Sequence, residues 1–255
     1  MADVTRLSPP MRKVLTQTRR IVKPQPVKVL DLFCGAGGSG MGLHRAWPDA
    51  DILGVDIMPQ PHYPFNFVLA DAMTFPLDGF DFIWASPPCQ AYTMMQALNT
   101  RAPKRDHPKL IEPIRERLVS AGVPYVIENV PGAPLVDPVM LCGSMFGLRV
   151  RRHRLFEASF FMLTQQCTHD GAMPIPVWGD GRPSRQEVRR RLRPIAVYGD
   201  HPQQSGDRMY RVNRARTLRA GQEAMGIDWM PWRELTQAIP PAYSEYIARQ
   251  YVVTT

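Results

Sequence analysis

Two short segments hold residue types that could do covalent chemistry together. Ala85-Ser86-Pro87-Pro88-Cys89-Gln90-Ala91 follows an apolar run, Phe80 to Trp84, that reads as a buried strand. Each proline fixes its own φ and pushes its predecessor out of the helical region, so the chain leaves the strand extended and rigid. That exit delivers the Cys89 thiol at a strand tip, not into a core. Val126-Ile127-Glu128-Asn129-Val130-Pro131-Gly132 has the same form: an apolar strand, an acid at its end, then Pro-Gly. A thiol nucleophile and a carboxyl acid at two strand ends are what attack on a pyrimidine ring requires.

A third segment could hold a cofactor. In Asp31-Leu32-Phe33-Cys34-Gly35-Ala36-Gly37-Gly38-Ser39-Gly40, Gly35, Gly37 and Gly40 satisfy G-x-G-x-x-G between a strand and a helix. Asp56 follows Gly35 by 21 residues, at the end of the second strand. Taken alone this fits a dinucleotide fingerprint, in which the acid takes ribose hydroxyls. The same architecture also holds S-adenosylmethionine. A nicotinamide enzyme has no use for a Pro-Pro-Cys-Gln strand end, whereas a methyltransferase acting on a pyrimidine does. Asp71, at the end of the third strand, is placed to accept from an adenine amino group.

The elements that must position these groups alternate. Val27 to Phe33, Ala50 to Ile57, Phe65 to Ala70, Phe80 to Ala85 and Tyr125 to Glu128 read as strands. Ser39 to Trp47 and Pro108 to Ala121 read as helices, and Pro240 to Val252 as a closing helix. This rhythm predicts an α/β fold: a Rossmann-like, doubly wound, mostly parallel sheet. Arg152 to Phe161 reads as a further strand in a hairpin. The predicted organisation is a basic N-terminal arm (1–26, with one helix near Met11 to Val22) and a catalytic and cofactor-binding domain (27–162). A small arginine-rich target-recognition insertion (163–214) and a C-terminal segment returning to the catalytic domain (215–255) follow. The polar, basic segment Ala91 to Asp106 begins just after Cys89 and reads as a lid.

Charge is concentrated. From Arg149 to Arg219 stand fifteen arginines, no lysine and six acids, a local net of +9 within a chain of +8. Six arginines crowd into Arg182 to Arg193. Arginine forks suit phosphates and base edges, so the stretch points to nucleic acid ahead of a solvated helix face. The 255 residues contain no apolar run long enough to span a bilayer, and the N-terminus has no hydrophobic signal core, so no membrane partner and a cytoplasmic protein are expected. Four cysteines without framework spacing suit a reducing compartment. Cys142, Cys167 and His169 match no common zinc spacing and read as scattered structural residues, so no metal is expected.

In order and approximate spacing, DLFCGAGGSGMGL, SPPCQAYT and ENVPG resemble the motifs of the C5-cytosine DNA methyltransferase family. Arg152-His153-Arg154 looks like its Arg-x-Arg element, and Glu234 to Pro241 like its final motif. The resemblance covers roughly Val27 to Phe156 and Arg216 to Gln250. It implies an S-adenosylmethionine-dependent enzyme that flips a cytosine out of double-stranded DNA. Cys89 would add to C6, its pKa lowered by nearby arginines and its strand-tip position; Glu128 would act at N3, and Arg154, with Arg152, would hold O2 and a flanking phosphate. Asp31, Phe33, Gly35, Gly37, Gly38, Asp56, Ile57, Asp71, Ala72 and Pro87 would form the cofactor pocket. Asn129 would fix the Glu128 loop. A monomer in a prokaryotic or phage-infected cell, of restriction–modification type, is the setting the resemblance implies.

The chain departs from the family pattern at Val150, at Tyr92-Thr93, at Thr236-Gln237 and at Asp56, where Glu is common. None of these is Cys89 or Glu128. The rival readings are an RNA (tRNA-type) cytosine-5 methyltransferase, a non-catalytic DNA-binding relative and a nicotinamide oxidoreductase. The segment between Arg154 and Arg216, about 60 residues, is small for a sequence reader in this family. It predicts a short recognition site of about three or four base pairs.

Overall fold

A computed structural model describes residues 26–92, 107–165, 167, 195–197, 213–215 and 217–251. The arm, most of the Ala91 to Asp106 segment and the Arg182 to Arg193 cluster lie outside the described residues. The core is one seven-stranded sheet in the order β3-β2-β1-β4-β5-β7-β6. Its strands are β1 Lys28–Leu32, β2 Asp51–Asp56, β3 Asn66–Leu69, β4 Phe82–Ala85, β5 Tyr125–Asn129, β6 Val139–Leu141 and β7 Arg154–Ala158. Pairs β1–β2, β1–β4, β2–β3 and β4–β5 are parallel, while β5–β7 and β6–β7 are antiparallel. The doubly wound, mostly parallel sheet expected from the sequence is therefore present. A separate pair, β8 Ile195–Ala196 and β9 Asn213–Arg214, runs parallel within the expected insertion.

The buried faces explain the strand choice. Phe82, Ile83, Trp84 and Ala85 of β4 are all fully buried, as a central strand covered on both faces should be. One face packs Val29, Phe82, Trp84, Phe156 and Tyr243 together, and the other packs Leu30, Ile83, Ile114, Leu118 and Ile127. Helix α1 (Gly38–Ala46) covers the first face beside the closing helix, and α2 (Ile111–Ala121) covers the second. Arg115 of α2 forks onto Glu157 of β7, with both hydrogen bonds at 2.8 Å, and ties the helix to the antiparallel edge. Gly122 ends α2 in the left-handed conformation, φ 66°, which glycine adopts without the Cβ penalty.

Three shorter helices finish the fold: α3 Leu218–Met225, α4 Trp232–Gln237 and α5 Pro241–Ala248. The closing helix is thus shorter than the predicted Pro240 to Val252. Pro241 opens it, where a missing N–H costs nothing. It packs directly on α1: Ser244 Oγ donates to the Ser39 carbonyl at 2.8 Å, and Gly42 leaves no room for a side chain between the helices. The predicted strand at Arg152 to Phe161 narrows to β7, and its partner β6 was not anticipated. No helix among the described residues is long and apolar enough to cross a membrane.

Candidate active site

The strand order reverses between β1 and β4, and ligands of open α/β sheets bind outside the carboxyl ends at such a switch point. The glycine turn leaves β1 there, Cys89 follows β4 there, and Glu128 sits near the end of neighbouring β5. Trp84 Nε1 donates to Ser86 Oγ at 3.0 Å, and Asn129 Nδ2 donates to the Pro87 carbonyl at 2.8 Å. Asn129 therefore clamps the Pro-Pro exit of β4 onto the end of β5. Past Cys89 the chain turns, with Tyr92 N donating to the Cys89 carbonyl at 2.9 Å. The Tyr92 hydroxyl accepts from Ile111 N at 3.3 Å, satisfying an otherwise orphaned donor of the first turn of α2. The tyrosine that departs from the family pattern thus holds the two ends of the intervening segment together.

Glu128 and Arg154 meet across the sheet edge. Arg154 Nε lies 3.1 Å from Glu128 Oε1, with both side chains about nine-tenths buried. Burial pushes the Glu128 carboxyl above its ordinary range, while Arg154, Arg152 and a hydrogen bond with Ser86 pull it back. Burial also pushes the Cys89 thiol up, against the pull of Arg154 and Arg152 and with the push of Glu128. The sequence led us to expect arginines that lower the Cys89 pKa. They do act in that direction, but loss of solvent outweighs them. Burial and Arg154 pull Arg152 down to about 9, so it stays a cation at neutral pH. Its terminal nitrogen donates to the Thr236 carbonyl at 2.5 Å, and its own carbonyl accepts from the Tyr243 hydroxyl at 2.6 Å. Its buried Nε has no acceptor among the described residues, which costs free energy unless a ligand supplies one.

The glycine turn is built from below. Asp31 is fully buried; it accepts from Ser39 Oγ at 2.9 and 3.0 Å and from the Tyr63 hydroxyl at 3.1 Å. Burial pushes its carboxyl up to about 7 despite those bonds. Asp31 therefore shapes the turn through Ser39 and Tyr63 and has no face open to a ligand. Gly37 takes φ 84°, and a side chain there would strike Tyr63 and Pro64. Phe33 is a non-glycine residue at φ 55°.

Asp56 accepts from Gly35 N at 3.0 Å with one oxygen and from Met58 N at 2.9 Å with the other. Gly35 faces open space, Ile57 beside it is 68% exposed, and Asp71 accepts from Met73 N at 2.8 Å. Gly38 lies close against Ile239, Ala72 is buried, and Arg117 binds the Ala72 carbonyl at 2.7 Å. Gly35, Ile57, Asp56 and Asp71 thus line one open rim, while Asp31, Gly38 and Ala72 lie behind it. Sequence reasoning missed Tyr63, Ser86 and Tyr243. Ser86 stands inside the Pro-Pro motif and could have been singled out; the two tyrosines carry no local signal.

No family model and no curated protein matches the chain. Among solved structures, the Entamoeba histolytica methyltransferase EhMeth aligns over 87% of this chain and 96% of its own, at 12% identity and TM-score 0.47. An RNA methyltransferase from Salinibacter ruber in complex with S-adenosyl-L-homocysteine aligns over 55% and 85%, at 15% identity and TM-score 0.31. The plantazolicin methyltransferase BpumL in complex with SAH aligns over 41% and 39%, at 20% identity and TM-score 0.28. This chain spans less than half the length of BpumL. Likenesses this distant carry no weight for function.

Proposed function

We propose that this chain transfers a methyl group from S-adenosylmethionine to C5 of a cytosine flipped out of duplex DNA, through a covalent bond between Cys89 and C6. The observation that carries the reading is the convergence of Cys89, Glu128, Arg152 and Arg154 at the carboxyl edge of β4 and β5. A thiol, a carboxyl of raised pKa and two buried guanidiniums are the groups needed to add to a pyrimidine and balance the charge that develops. The rim at Gly35, Asp56, Ile57 and Asp71 fits the cofactor: an open approach to backbone, an acid for ribose hydroxyls, an exposed apolar side chain for adenine and a second acid for its amino group. S-adenosylmethionine supplies an electrophilic methyl group there.

The residues divide the work as follows. The Cys89 thiol loses its proton as substrate enters, and the thiolate adds to C6, breaking the C5–C6 double bond. Glu128 delivers its proton to N3 as electrons move into the ring, which makes C5 enamine-like. Arg152 Nε–H, which lacks an acceptor among the described residues, and Arg154 hold O2 or the flanking phosphate. After C5 takes the methyl group, N3 returns its proton to Glu128, and loss of the C5 proton with expulsion of the Cys89 thiolate restores the ring. Because C5 and C6 lie inside a stacked duplex, the base must leave the stack first.

The arginine-rich stretch supports nucleic acid as the partner through its +9 local charge. Replacing Arg189, Arg190 and Arg191 with Ala should weaken DNA binding and flatten its salt dependence by up to about three counterions. Incubation with labelled S-adenosylmethionine and either duplex DNA or RNA tests the substrate. Label in DNA cytosine supports the reading, label in RNA alone moves it to the RNA alternative, and label in neither overturns it.

A further inference from the structure

The hairpin that carries Arg154 brings together donors that the sequence scatters. In the β6–β7 ladder Leu141 pairs with Arg154. Continued by one step, the antiparallel register sets Cys142 opposite His153. The chain then leaves β7 and returns Cys167 to the same place. One ligand atom from each of Cys142, His153 and Cys167 lies within 4.8 Å of the other two. Cys167 Sγ is 3.6 Å from His153 Nε2. A tetrahedral ion with bonds of about 2.3 Å to sulfur and about 2.0 Å to nitrogen spaces such a pair by about 3.6 Å. Ser144 Oγ stands 3.3 Å from Cys142 Sγ and 3.6 Å from Cys167 Sγ, where it can orient the sulfurs from outside the ligand set. His169, the imidazole the sequence offered, lies outside the described residues, and His153 stands with the two cysteines instead.

We propose that Cys142, His153 and Cys167 bind a zinc ion that fastens the β6–β7 hairpin. Two sulfurs and an imidazole are the donor set that selects zinc over magnesium or calcium. Two thiolates cancel the charge of the dication, which matters because His153 stands between Arg152 and Arg154. A bare dication there would repel both guanidiniums; a neutral site does not. Two thiol protons leave as the ion enters, and a water completes the tetrahedron. The proposal does not rest on the methyl-transfer reading. It assigns the ion a structural task, holding the entry to β7 where both arginines stand.

The test uses the full chain, purified reduced, without chelator and with any histidine tag removed. Elemental analysis should find about one zinc per chain. Titrating cobalt into the metal-free wild type should saturate at one equivalent, with a near-ultraviolet sulfur-to-cobalt charge-transfer band and intense visible bands of tetrahedral geometry. Cys167→Ser, at a half-buried position, should lower zinc content at least tenfold. His153→Gln should weaken cobalt binding at least tenfold while keeping the sulfur band. The cobalt spectrum of the wild type reads the site even if a variant fails to fold. Folded wild type with neither zinc nor cobalt bands overturns the proposal, as does a Cys142–Cys167 disulfide that persists under reducing agent in the metal-free chain and blocks both.

Discussion

Asp31 and Glu128 are two buried carboxyls at the same edge of one sheet, and they are held in opposite ways. Asp31 is 0% exposed and Glu128 7%, and burial raises the pKa of both. Asp31 meets two neutral hydroxyls, from Ser39 and Tyr63, that belong to the fold. Glu128 meets a guanidinium 3.1 Å away and stands beside a thiol. Hydroxyls satisfy a carboxyl whether or not it is ionised, because each can turn to donate or accept. A guanidinium can only donate and favours the anion, so burial and Arg154 pull Glu128 in opposite directions. That balance suits a group that must exchange a proton during a reaction, while the Asp31 arrangement suits one that only holds a turn.

Breaking each carboxyl should separate the two roles. Glu128→Gln keeps the shape and loses the acid. Turnover should fall by about 10²–10⁴-fold, with S-adenosylmethionine affinity near wild type. A rate within about fivefold of wild type would remove Glu128 from the chemistry. Arg154→Ala leaves a buried carboxyl without its cation and should cost about 3–5 kcal/mol in chemical denaturation at neutral pH. The double variant with Glu128→Gln should recover much of that loss, and simple additivity of the two would contradict a direct pair.

The pH dependence of stability sharpens the other side. The carboxyl of Asp31 rises from an ordinary 3.8 to about 7 in the fold. The stability it contributes is therefore fully present below about 3.8 and is lost as pH rises through about 7. The loss is on the order of 4 kcal/mol. Asp31→Asn keeps the contacts and cannot ionise, so it should match wild type near pH 4 and exceed it above pH 7 in thermal denaturation. A variant less stable than wild type at both ends would mean that the anion is favoured in the fold. Smallest of the set, Tyr63→Phe removes one of the hydroxyls on Asp31 and should cost about 1 kcal/mol, read by urea denaturation.

The two carboxyls also show what was legible in the sequence. Glu128 and Cys89 announce themselves because each ends an apolar run at a proline, and local chain stiffness is written in residue types. The parallel strands β1, β2, β4 and β5 were legible for the same reason: each is a largely buried apolar run, whereas β3 is mostly exposed and is marked only by the apolar types of Phe67, Val68 and Leu69. The short β6 was not, because Val139–Leu141 is three residues and pairs only with a partner that lies later in the chain. The same gap hid the Cys142–His153 juxtaposition, which depends on hairpin register and not on spacing. Asp31 read as a cofactor ligand from its motif, whereas Tyr63, 32 residues away, turns it inward. The Cys89 pKa was misjudged because the sequence shows charged neighbours and does not show how much water is excluded.

The central claim is that Cys89 bonds to C6 of a flipped cytosine. Duplex oligonucleotides carrying 5-fluorocytosine test it most directly, because fluorine at C5 blocks the elimination that would release the enzyme. Which duplexes carry the site follows from bisulfite sequencing of host DNA after expression. With S-adenosylmethionine present, wild type should form a complex that survives denaturing electrophoresis, with the adduct mapped to Cys89, and Cys89→Ser should form none while still binding DNA. No denaturant-stable complex on a duplex that the wild-type enzyme methylates, or an adduct that persists in Cys89→Ser, would contradict it.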